Sequence, residues 1–260
     1  MKKNNWLFLI IILVALSAVY LGLKTDFFAL KTKENSSSVF IKAIHETDKS
    51  FNVQAEYPQF ENIEEDFNKK ISDFVINRIA EFKNDSLENW QARKATALPE
   101  DMFSEYPETP FDFIAEWEPA QINEKYISFV VRLYYFTGGA HGFNEIKSFN
   151  YDIQNQKEIT ITEFLNNSDE ALNNLSELAE LDLSMQFQGN GVKVDGILAQ
   201  MMGEGTKPIP NNYENFTFNY NSLVIHFQQY QVAPGAYGMP MSIFYKADLE
   251  ANSIFSDYWR

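Results

Sequence analysis

Residues 126–151 restrict the fold more than any other stretch. Tyr126-Ile127-Ser128-Phe129-Val130-Val131-Arg132-Leu133-Tyr134-Tyr135-Phe136 is dense in β-branched and aromatic side chains. Ile127, Phe129, Val131, Leu133 and Tyr135 recur at period two, the spacing that puts side chains on one face of a strand. Thr137-Gly138-Gly139-Ala140-His141-Gly142 follows, a glycine-rich connection able to take positive φ. Residues 143–151 read as a second strand. The whole predicts a β-hairpin at the centre of a sheet.

The 260 residues contain 23 Phe and 13 Tyr, which favours sheets over helical bundles. There is no cysteine, so neither disulfides nor thiol chemistry contribute. The formal net charge is −15. Residues 1–24 carry Lys2, Lys3 and Lys24 and no acid, so the remainder holds 18 basic against 36 acidic side chains. Such a chain repels nucleic acid and anionic membranes and attracts cationic partners.

Residues 6–23 are apolar except for Ser17 and Gly22. As a helix they would span roughly 27 Å, about one bilayer core. No A-x-A site follows, so an uncleaved anchor is favoured over a cleaved signal. Lys2 and Lys3 place the N-terminus in the cytoplasm and the rest outside a single-pass membrane anchor. The expected order is a membrane segment at 1–24, a linker at 25–38, a unit at 39–136, a second unit at 137–250 and a tail at 251–260.

Within the first unit, residues 39–46 and 51–57 read as strands, with Pro58 ending the second. Ile63, Phe67, Ile71, Phe74, Val75, Ile79 and Phe82 then recur at helical spacing, behind acids that suit a helix N-terminus. This helix is expected to reach about Trp90. Residues 111–118 alternate as a strand closed by Pro119, and the strands around it form an antiparallel meander. In the second unit Asn167 or Ser168 caps a helix with Leu172, Leu175, Leu178 and Ala179 on its stripe, ended by Gly189-Asn190-Gly191. Residues 192–202 are ambiguous and 203–212 read as loop. Phe216, Phe218 and Tyr220, then Leu223, Ile225 and Phe227, form a second hairpin, and residues 242–245 a last strand. The fold class is α+β, with antiparallel or mixed sheets, packed helices and two loosely similar units.

Tyr134-Tyr135-Phe136-Thr137-Gly138-Gly139-Ala140-His141-Gly142, together with Phe149-Asn150-Tyr151-Asp152, resembles a bacterial envelope module. That module is the extracytoplasmic region of RsiV-type anti-sigma factors, and it also sits beside the catalytic domain of PdaC-type peptidoglycan deacetylases. Leu223-Val224-Ile225-His226-Phe227-Gln228-Gln229-Tyr230-Gln231-Val232-Ala233-Pro234 is similar to its C-terminal signature. The position after Pro234, often aromatic in that pattern, is Gly235 here. The resemblance covers about residues 40–250 and implies a PdaC-like N-terminal unit, an RsiV-like C-terminal unit and a binding role. In the anti-sigma branch the partner is lysozyme, a cationic muramidase. About five residues precede the apolar run, too few to grip a sigma factor. Lysozyme, another cationic wall-active protein, or the wall glycan are therefore the expected partners. A peptidoglycan-modifying enzyme and a purely structural envelope domain are the alternatives.

His45, His141 and His226 are the only histidines, and no two lie at the i, i+4 spacing of a metal-binding helix face. No phosphate-loop or G-x-S-x-G pattern occurs. The expectation is no catalytic residue, no metal and no cofactor. His226 is expected on the sheet face opposite Leu223, Ile225 and Phe227. Partner contact is assigned to two glycine- and aromatic-bearing loops, through Gly138, Gly139 and His141 in one and Tyr230, Pro234 and Tyr237 in the other.

Overall fold

The computed structural model describes residues 38–96, 110–138 and 141–259. The apolar run at 6–23 and Gly139 lie outside them. No helix among the described residues is long and apolar enough to cross a membrane.

Strands β1 (Val39–Thr47) and β2 (Phe51–Phe60) pair antiparallel. Helix α1 (Glu65–Thr96) then crosses over to β3 (Phe111–Ile122), which lies parallel to β2. Strands β4 (Tyr126–Phe136), β5 (Phe143–Asp152) and the two-residue β6 (Lys157–Glu158) continue antiparallel. The result is a six-stranded mixed sheet in the order β1-β2-β3-β4-β5-β6. The predicted hairpin is β4–β5, paired from Tyr126↔Asp152 to Tyr135↔Phe143.

Helix α1 buries Phe67, Ile71, Val75, Ile79 and Phe82, the stripe read from the sequence. They meet Val53, Ala55, Phe113, Ala115, Phe129, Val131 and Leu133 on alternating strand positions. Phe149 stacks on Phe129 with ring centroids 5.2 Å apart, and Phe67 meets Tyr151 at 4.4 Å. Arg78 clamps this helix to β5, its Nε and Nη2 donating to the two Glu145 carboxylate oxygens at 2.8 and 2.9 Å. The helix continues beyond Trp90, whose ring stands edge-on to Phe111.

Neither proline ends its strand. Pro58 pairs with Ile41, and β2 runs on to Phe60. The pairing with β3 stops at Ala55, so beyond it β2 has one neighbour, and an edge tolerates a residue without an N–H. Pro119 sits at a register shift between Pro119 and Gln121 that lets β3 continue to Ile122. A bulge absorbs what a regular ladder would reject.

After β6 come α2 (Ile161–Phe164), α3 (Asp169–Gly189) and α4 (Gly196–Gly205). Thr160 caps α2 with a capping box to Glu163, and Ser168 caps α3. Helix α4 takes in part of the stretch read as loop. Its Gly205 sits under the backbone of Gln231, packing that only the assembled fold supplies. Strands β7 (Phe216–Phe218), β8 (Ser222–His226) and β9 (Met241–Tyr245) form an antiparallel sheet, and α5 (Lys246–Ala251) follows. Leu172, Leu175, Ala179, Leu183 and Phe187 of α3 pack with Phe216, Phe218, Leu223, Ile225 and Phe244, with Phe164 and Trp259 completing this core.

The second sheet meets the face of the first sheet that α1 leaves uncovered, and the joint is polar. Ser128 Oγ donates to Asn150 Oδ1 at 2.6 Å and accepts from Phe218 N at 2.9 Å. Asn150 Nδ2 donates to Phe216 O at 2.8 Å. Ser148 Oγ donates to Glu214 O at 3.1 Å and accepts from Phe216 N at 3.0 Å. Each of these side chains replaces water for a backbone group that burial would otherwise strand.

Candidate functional site

Glutamines tie the segment just ahead of the second predicted loop to β5, just past the first. Gln228 and Gln229 lie just past β8. Gln229 Oε1 accepts from Asn144 N at 2.8 Å. Gln228 Oε1 accepts from Ile146 N at 3.1 Å and its Nε2 donates to Ile146 O at 2.5 Å. The side-chain amides thus take the place of a neighbouring strand along β5. Gln231 ties the same loop inward, its Nε2 donating to Gly205 O at 3.1 Å and Asn212 O at 2.9 Å.

Two tyrosines are seated on glycines at this edge. A Cβ on Gly142 would fall 2.3 Å from the Tyr134 ring, and one on Gly235 would fall 2.4 Å from the Tyr230 ring. At Gly235 the Tyr230 ring occupies the space a larger side chain would need, so an aromatic residue there would require that ring to move. Tyr230 itself takes φ +69. Tyr134 and Tyr230 remain 38% and 46% exposed.

Of the other predicted contact residues, Gly138 has φ +104 at the hairpin turn. His141 is exposed, with Nδ1 2.9 Å from Gly142 O. Pro234 is half-buried and precedes a short 3-10 turn, Gly235–Tyr237. Tyr237 rests edge-on against Phe187 at 5.2 Å.

The histidines occupy separate environments. His45 is exposed on the edge strand β1. His226 lies opposite the core face, as its alternation predicts, and is buried there. Its Nε2 lies 3.0 Å from Thr217 Oγ1, and burial, with nearby Arg132 adding to it, pushes its pKa down to about 4. Among the described residues no three His, Asp or Glu side chains converge as metal ligands.

A second feature was not predicted. At the far end of β4 and β5 a cleft of about 450 Å³ opens between the first sheet and the C-terminal segment. Tyr126 and Tyr258 line it, with ring centroids 5.4 Å apart in an edge-to-face pair. Asp152, Glu163, Lys157 and Asp257 line it too, with Asn155, Asn166 and Asn167. Asn166 and Asn167, at φ +54 and +58, and Gln156, at φ +52, form unusual turns beside it. Burial, reinforced by carboxylates, raises the pKa of both tyrosines, so the phenols stay protonated. Burial also pushes Glu163 upward, but the Thr160 N–H and Lys157 outweigh it and hold this carboxyl below its ordinary value.

Residues 44–144 match the family model described as "Deacetylase PdaC", and residues 162–241 match "Protein of unknown function (DUF3298)". The chain is a PdaC/DUF3298-type module. The resemblance read from the glycine-rich hairpin and the C-terminal signature holds at that level. Across 209 residues, 80% of the chain, the module is 23% identical to the peptidoglycan-N-acetylmuramic acid deacetylase PdaC of Bacillus subtilis (strain 168). The chain spans 40% of the length of that relative. A crystal structure of a DUF3298 family member from Bacteroides fragilis superimposes with a TM-score of 0.54 at 14% identity, covering 84% of this chain and 94% of that one, and shows the shared fold. A DUF3298 family protein from Pseudomonas aeruginosa gives a TM-score of 0.49 at 18% identity, over 88% and 95% of the two chains.

Proposed function

We propose that this chain is a binding module of the bacterial cell envelope that captures a cationic, wall-active protein such as lysozyme. On this reading residues 6–23 anchor it in the cytoplasmic membrane and residues 39–250 lie outside as two units. The observation that carries the reading is the uncovered part of the first sheet. Glu56, Glu116 and Glu118 are exposed there beside Ile41, Ile114 and Tyr134, with Arg132 as the basic side chain among them. A face of acids around apolar patches, on a chain of net charge −15, complements a cationic protein. The half-exposed tyrosines Tyr134 and Tyr230 at the neighbouring loop edge supply aromatic contact area. His141 lies against the carbonyl of the adjacent Gly142 and His226 against Thr217 of the paired strand β7, which favours a structural role for them over catalysis.

Calorimetry of the full chain against lysozyme at low and high salt tests this. Binding that weakens as salt screens it is the expected result. No binding at low salt would remove the proposal.

A second reading, a peptidoglycan-modifying enzyme, is favoured by the name of the Bacillus subtilis relative. Turnover of wall glycan by this chain, lost on His141→Ala, would replace the first reading with the second.

A further inference from the structure

The Tyr126–Tyr258 cleft lies away from the predicted loops and carries a different chemistry. We infer that it is a saccharide-binding site, independent of the capture of a cationic protein.

Its carboxylates do not make it a simple cation hole. Asp152 accepts from Asn155 N at 2.9 Å and from Asn155 Nδ2 at 2.8 Å. Glu163 accepts from Lys157 Nζ at 2.9 Å and from Thr160 N at 3.0 Å. Asp152 and Glu163 are thus held by the chain's own donors. The groups left facing a ligand include protonated phenols and the side-chain amides of Asn166 and Asn167, which donate and accept. That mixture fits hydroxyl groups, each of which also donates and accepts.

The aromatic part is rigid. Tyr258 stacks on Phe164 at 6.0 Å with an interplanar angle of 6°, and Phe164 is fully buried. Tyr126 is braced edge-on by Phe218 at 5.8 Å. Fixed ring surfaces offer an apolar wall to the C–H face of a pyranose, while the polar rim meets its hydroxyls. Asp257 N donates to Asn166 Oδ1 at 3.4 Å, which links two segments of the rim. The volume suits a small ligand such as one or two sugar rings.

Isothermal titration of the full chain with chitotriose, a neutral trimer of N-acetylglucosamine, tests the inference. Saturable binding is expected. Tyr258→Phe keeps the ring and removes the hydroxyl, and Asn167→Gly keeps the positive φ and removes the amide. Each should weaken binding about tenfold, the scale of one hydrogen bond, at an unchanged melting temperature. Tyr230→Phe, at the loop edge, should bind as the parent does. No saturable binding by the parent chain overturns the inference. So does parental affinity in both cleft variants, or an equal loss in Tyr230→Phe. None of these results alters the lysozyme titration, so the two readings fail separately.

Discussion

Tyr134 lies across Gly142 so closely that a β-carbon there would sit 2.3 Å from its ring. The obstacle is the far end of an exposed side chain, which can swing away. At Gly205 a β-carbon would meet the Gln231 carbonyl oxygen, also at 2.3 Å, and backbone cannot give in this way. Gly142→Ala should therefore leave the melting temperature nearly unchanged and make Tyr134 more reactive to nitration. Gly205→Ala should cost about 1–3 kcal/mol in chemical denaturation.

The polar joint between the sheets should be as costly to break as a core contact. Asn150→Ala strands Phe216 O and takes a partner from Ser128 Oγ, both in buried surroundings. A loss of about 1–3 kcal/mol is expected from urea titration. If the variant melts like the parent, the joint does not stabilise the fold.

Acid should destabilise the module through His226. Its folded pKa of about 4 lies below the ordinary value of 6.5, so the fold favours the neutral ring. The stabilisation is complete above pH 6.5 and is lost as pH falls from there through about 4, by roughly 3 kcal/mol in all. His226→Gln should flatten that part of a stability–pH curve. A curve of the same shape in the variant would assign the loss to other groups.

Charge on the uncovered sheet face should govern capture of a cationic protein without governing the fold. Reversing Glu116 and Glu118 to lysine should weaken lysozyme binding at low salt by about tenfold or more and remove most of its salt dependence. The melting temperature should change little, because both side chains are exposed. Unchanged affinity would move the docking surface elsewhere.

The sequence alone determined what depends on neighbours along the chain. Alternation placed Phe129, Val131 and Leu133 in one core, and the i, i+4 recurrence of Phe67, Ile71 and Val75 placed the helix that covers them. Ser168 and Gly191 marked the ends of α3 because capping is a local geometry. Tertiary structure decided what depends on distant partners. Whether Pro58 ends a strand turned on how many neighbours that strand has there, and whether Pro119 does turned on a bulge against β4. Why Gln228 and Gln229 follow β8 became legible only when their amides were found along β5, some eighty residues earlier. The cleft is of the same kind. Tyr126 lies mid-chain and Tyr258 near the C-terminus, and no periodicity within one segment can announce a surface that two segments make only by meeting.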